Sequence, residues 1–94
     1  MDTTVIQNTK LVKTSDGERG DAGRTKQYVV QVIRHSSPEA VTYIVRAYWG
    51  RNDWNTHLHN LQSKVIVQTT SKGHAEYEAQ SAIKKKIAKG YTRD

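Results

Sequence analysis

Apolar and polar residues alternate along four separate stretches of this chain. In the longest, Val41–Trp54 (VTYIVRAYWGRNDW), the residues Val41, Tyr43, Val45, Ala47 and Trp49 share one parity, and Thr42, Ile44, Arg46 and Tyr48 share the other. A period of two predicts a half-buried β-strand with a mainly apolar face. Gly50 ends the alternation, because a residue without a Cβ weakens a strand interior and lets the backbone bend. Gln27–Arg34 (QYVVQVIR) predicts a second strand, with Tyr28, Val30 and Val32 on one face and Val29, Gln31 and Ile33 on the other. Ser36, Ser37, Pro38 and Glu39 between the two strands read as a hairpin turn, since Pro38 has no amide to donate to a ladder. Thr3–Val12 is β-prone, with Val5 and Leu11 on one parity and Ile6 and Val12 on the other, and predicts a first strand at a sheet edge. Ser63–Thr70 predicts the last strand.

The periodicity then changes. Ala75, Ala79, Ala82, Ile83 and Ile87 recur at helical spacing and predict one apolar stripe on a helix over Ala75–Lys89, which must cover a sheet face. Ser71 is placed to cap its start, Gly90 to close its end in a left-handed conformation, and Tyr91 to pack back. Strands first and helix last predict an α+β domain: a small antiparallel sheet of about four strands with one C-terminal helix on one face. The polar, glycine-rich segment Thr14–Thr25 contains no apolar residue larger than Ala22 and is expected to be a flexible loop.

Composition narrows the functional classes. The 94 residues suit a single domain, with the core expected over residues 25–91. There is no cysteine, so neither a disulfide framework nor a thiolate zinc site is available, and no apolar run approaches membrane-spanning length. The expectation is an intracellular monomer: cytoplasmic or nucleoid-associated in a bacterium, nuclear in a eukaryote. The net charge is +6 and uneven, −1 over residues 1–23 and +7 from Arg24 onward, so the basic character belongs to the domain and favours an anionic partner.

A strand ending in Trp49, Gly50 and Arg51, then a further strand, then a helix closed by Lys89, Gly90 and Tyr91, resembles the WGR domain. That family is named for its tripeptide and occurs in poly(ADP-ribose) polymerases and in small bacterial proteins. The resemblance covers Thr25–Tyr91. It implies that Trp49 contacts nucleic acid, because in the polymerases this Trp packs on a sugar at a DNA strand end. It also implies that Arg51 contacts a partner, because there the Arg joins neighbouring domains. The sequence departs from the family just after the motif. Relatives continue with an aliphatic residue and a compact Gly-rich hairpin, whereas here Asn52, Asp53, Trp54, Asn55 and a longer loop intervene, with Gln62, Ser63 and Lys64 in the place of the usual Gln-Ser-Lys.

Taken on their own chemistry, the candidates divide as follows. Trp49, Gly50 and Arg51, with Trp54 in a polar loop, offer aromatic and planar cationic surfaces for a sugar, base or phosphate. Arg46, Lys64, Lys85 and Lys89 are the candidate phosphate contacts, part of a wider basic set with Lys72, Lys84, Lys86 and Arg93. The plainer alternatives are a core Trp, a solvated Arg and a solubilising helix face. His57 and His59 fall short of a metal site, having no Cys or third ligand nearby. No nucleophile, base and orienting group can be assembled from this sequence, so no enzyme, metal or cofactor is expected. The leading expectation is a module for DNA, with RNA also open, that recognises ends or breaks. The competing one is a protein-interaction adaptor that uses Trp54, Tyr48 and Arg51.

Overall fold

A computed structural model describes residues 2–14, 25–51 and 61–93. The chain forms β1 (Asp2–Thr14), β2 (Thr25–Ser36), β3 (Val41–Arg51), β4 (Gln62–Thr69), α1 (Lys72–Ala88) and β5 (Thr92–Arg93). The strands make one sheet in the order β4-β3-β2-β1-β5, with all four pairings antiparallel among the described residues. The first four strands follow one another as a meander, and α1 then carries the chain back across one face to the far side of the sheet. The α+β architecture expected from the sequence is therefore the observed one.

Several elements differ in detail from the sequence expectation. All four main strands extend or shift by one to a few residues, and the helix starts at Lys72 and not at Ala75. The first strand is not a bare edge, because β5 covers it at Leu11 and Val12, where Arg93 and Thr92 pair with it. Two residues of strand carry too weak a period to be read from sequence. The predicted loop over residues 15–24, and the segment 52–60 that holds Trp54, His57 and His59, lie outside the described residues.

Two irregularities in register explain why adjacent apolar residues both find the core. Strict alternation sends neighbours to opposite faces, yet Ile6 and Leu11 differ in parity and both join the core cluster. The register of β1 on β2 shifts between Val5 and Gln7, which inserts Ile6 as an extra residue and lets it turn inward. A second shift opposite Val45 and Arg46 does the same in β4, where Ile66 and Val67 both pack against the core.

The core lies between the sheet and α1. Leu11, Tyr28, Val30, Val32, Val45 and Ala47 contribute from the strands, and Ala75, Ala79 and Ile83 from the helix. Alanine at two of the three helix positions keeps the helix close to the sheet, so Ile83 is the largest helix side chain that is fully buried. Ile87, expected on the stripe, is 42% exposed. At the helix start Ser71 Oγ accepts from the amide of His74 at 3.2 Å. At its end the amide of Tyr91 donates to Lys86 O and that of Gly90 to Ile87 O, with Gly90 at φ 101°. This paired closure is a Schellman motif, whose left-handed residue favours glycine. It turns the chain sharply enough for Tyr91 to fold back on the sheet.

Truncating Ile83 to Ala should cost about 2–5 kcal/mol, the range for deleting a fully buried branched aliphatic side chain, measured by urea denaturation. Gly50 has φ 157°, and a Cβ there would meet Leu61 Cδ2 at 2.8 Å. Gly50→Ala is expected to destabilise by about 1–3 kcal/mol through backbone strain, with an unchanged denaturant slope as the sign that the fold itself persists.

Candidate nucleic-acid interface

The site forms where the end of the sheet meets the last turns of the helix. Leu11, Tyr28, Trp49 and Gln62 occupy one cross-strand row over β1 to β4. Tyr28 and Trp49 both belong to the helix side of the sheet, since Tyr28 is part of the core cluster and Trp49 packs against it. Two residues further out along each strand, the backbone register places Lys13, Lys26 and Arg51 in another row. The sheet thus ends in an aromatic row followed by a basic one.

The helix adds charge above this end. A groove of about 330 Å³ opens between sheet and helix, lined among others by Tyr28, Trp49, Lys64, Lys85, Lys86, Lys89 and Tyr91. Lys64 reaches it because the β4 irregularity puts Lys64 opposite Ala47, whose side chain faces the helix. Trp49 is half-buried: one part of the indole packs on the core and another part faces the groove.

Lys86 sits at the centre of the cluster. Its Nζ lies 4.6 Å from the ring centroid of Tyr28 and 5.7 Å from that of Tyr91, and these two rings meet edge to face with centroids 6.4 Å apart. Lys13 joins from β1, its Nζ donating to Lys89 O at 2.9 Å and lying 5.9 Å from the Tyr91 centroid. Negative ring faces partly offset this crowding of ammonium groups. The offset is incomplete: burial first, and then the like charges of Lys89, Lys64 and Lys13, hold the Lys86 ammonium below the usual lysine range. Burial pushes the Tyr28 hydroxyl the other way, above its ordinary value, with Tyr91 adding to the effect. One acidic residue, Glu78, lines the groove against four lysines. Its carboxylate lies 3.5 Å from His74 Nε2.

Other predicted residues fall elsewhere. Arg46 pairs in register with Gln31 and Val65 and alternates with Val45 and Ala47, so it occupies the sheet face opposite the helix. It cannot line one groove with Lys64, as the sequence reading proposed, because a period of two separates them by the thickness of the sheet. Tyr48 lies on that same far face, which separates it from the groove. Lys72 is at the other end of the helix, 4.0 Å from Glu76, and Lys84 points to solvent outside the groove. Gly50 pairs with Gln27 at the groove end of β3. Trp54 and the side chain of Arg51 lie outside the described residues.

Sequence reasoning passed over Lys13, Tyr28 and Glu78 as site residues and treated Lys86 as one lysine of a run. Tyr28 was visible as a strand residue on the Val30 face, but its alignment with Trp49 depends on strand register. Among the described residues no group of His, Asp and Glu is arranged to hold a metal ion. No helix of the described residues is long and apolar enough to cross a membrane.

Comparison of the chain with protein-family models, with curated proteins and with solved structures returns no match.

The position of Lys86 has a measurable consequence. Its ammonium should titrate below the ordinary lysine value in NMR spectra of the side-chain amines, and Lys64→Gln should move it part of the way back, leaving the effect of burial. Between the lowered folded value and the ordinary 10.5, the folded chain holds fewer protons than the unfolded one. The Lys86 contribution to stability therefore improves as pH rises through that window.

Proposed function

We propose that this chain is a WGR-like, non-catalytic module that binds nucleic acid, DNA foremost, at strand ends or breaks through the groove between α1 and the sheet. The observation that carries this reading is the gathering of Tyr28, Trp49 and Tyr91 with Lys64, Lys85, Lys86 and Lys89 around one opening, which among the described residues is lined by a single acidic one, Glu78. A nucleic-acid strand offers both things such an opening can use: flat bases or sugars for the aromatic surface and phosphates for the ammonium groups. The groove is at the small end of the range for ligand sites. It accommodates one unstacked unit of a strand and excludes a duplex, which suits an end or a break better than continuous double helix.

In this mechanism Trp49 supplies the stacking surface. Lys64, Lys85 and Lys89 are exposed and meet phosphates, while Lys86 is held back against Tyr28 and Tyr91. Contacts of this kind fix a strand in place and carry little sequence information, so recognition is of structure. Lys13 and Lys26, in the outer row of the sheet, extend the positive surface along the strand beyond the groove.

A short single-stranded DNA should bind at low salt, with log K falling as log salt rises. Removing one phosphate contact by Lys64→Gln, Lys85→Gln or Lys89→Gln should lower that slope by about 0.7. Trp49→Leu should cost about 1–3 kcal/mol of binding, the range for loss of one stacking platform. Arg46→Gln, on the opposite face, should leave affinity and slope unchanged. Absence of any mobility or chemical-shift change with DNA or RNA at low salt would reject the reading and leave the protein-interaction adaptor as the alternative.

A further inference from the structure

Lys86 differs from the other lysines of the groove in two respects visible in the geometry. It is half-buried where Lys64, Lys85 and Lys89 are exposed. Its Nζ is held at the two rings of Tyr28 and Tyr91, so its position is defined. Among the described residues no carboxylate lies within ion-pair distance of it, and the charged groups acting on it are the ammonium groups of Lys89, Lys64 and Lys13.

We propose that Lys86 is an acylation site for acyl phosphates, its Nζ attacking the acyl carbon while the ammonium groups of Lys13, Lys64 and Lys89 hold the phosphate. The neutral amine supplies the electron pair for the new N–C bond. The C–O bond to the phosphate breaks, inorganic phosphate leaves with that pair, and the amine proton passes to water. The product is an amide and phosphate, with no oxidant, reductant or metal consumed. Two physical requirements meet at this residue. An amine reacts only when unprotonated, and the burial and like charges around Lys86 favour that form. The same like charges attract a dianionic donor and stabilise the negative charge that develops on its leaving group. Lys72 and Lys84 lie outside the groove. The acyl group also removes one repelling charge from the cluster, so the modified state relieves the crowding described above.

The chemistry stands independently of the nucleic-acid reading, although its consequence for binding rests on that reading. The test is incubation of the folded full chain with acetyl phosphate at mildly alkaline pH, followed over time by peptide-resolved mass spectrometry. Lys86 should be acetylated several-fold faster than Lys72 and Lys84. Added inorganic phosphate should slow Lys86 and leave the other two unchanged, and a Lys64→Gln/Lys89→Gln double variant, altered at exposed positions only, should lose the preference. Equal rates at the three lysines would overturn the proposal, as would a preference that persists in denaturant or ignores added phosphate. Selective acetylation of Lys86 in a chain that shows no mobility or chemical-shift change with DNA or RNA would uphold the modification site and reject the nucleic-acid groove, so the two ideas fail separately.

Discussion

The close approach of α1 to the two central strands governs the rest of this structure. Ala75 and Ala79 are small enough for the helix backbone to lie near Val30, Val32, Val45 and Ala47, and Ile83 fills the space that remains. Burying these side chains is the main source of stabilisation for a chain this short, and the packing leaves little tolerance for added or missing volume. Because the helix begins at the β4 edge and ends over β1, its path is a diagonal across the sheet. That diagonal fixes which helix turn lies above which strand end. Its last turns hang over the row that contains Tyr28 and Trp49, and the lysines there come to face aromatic rings.

Crowding those lysines has a cost. Four ammonium groups around one groove repel, and each partly buried one loses some hydration. The fold offsets the cost locally, through ring faces beneath Lys86 and the carbonyl of Lys89 that accepts from Lys13. Among the described residues Glu78 is the one carboxylate that lines the groove, and it lies 3.5 Å from His74 Nε2. The repulsion left over is stored where an anion would relieve it. Such an arrangement is typical of sites tuned for a ligand, in which local stability is given up for complementarity to something the free chain lacks.

The far face of the sheet has a different character. Val29 and Gln31 are buried there, with the Gln31 amide donating to Asn8 Oδ1 at 2.9 Å, and Arg46 and Tyr48 stand beside them. Among the described residues this face carries no counterpart of the lysine cluster. The division follows directly from the two parities of β3, where the apolar set turns to the helix and the set containing Arg46 turns away.

By itself the sequence determined the elements and their faces. A period of two in β2 and β3, a period near three and a half in α1, a Ser before the helix and a Gly after it are local properties, and short-range sterics and hydrogen bonding suffice to impose them. It also placed Trp49 on the helix-facing parity of β3 and put the basic residues late in the chain. The tertiary structure alone decided which of these meet. The irregularities at Ile6 and Ile66 depend on what the partner strand offers, the pairing of β5 with β1 joins residues 80 positions apart, as Thr92 and Val12 are, and the alignment of Lys13, Tyr28, Trp49 and Lys86 requires strand register and helix path together. Arg46 and Lys64 illustrate the gap. Both are basic residues on adjacent strands, yet they stand on opposite faces of the sheet, because side-chain direction is a local property and proximity is not.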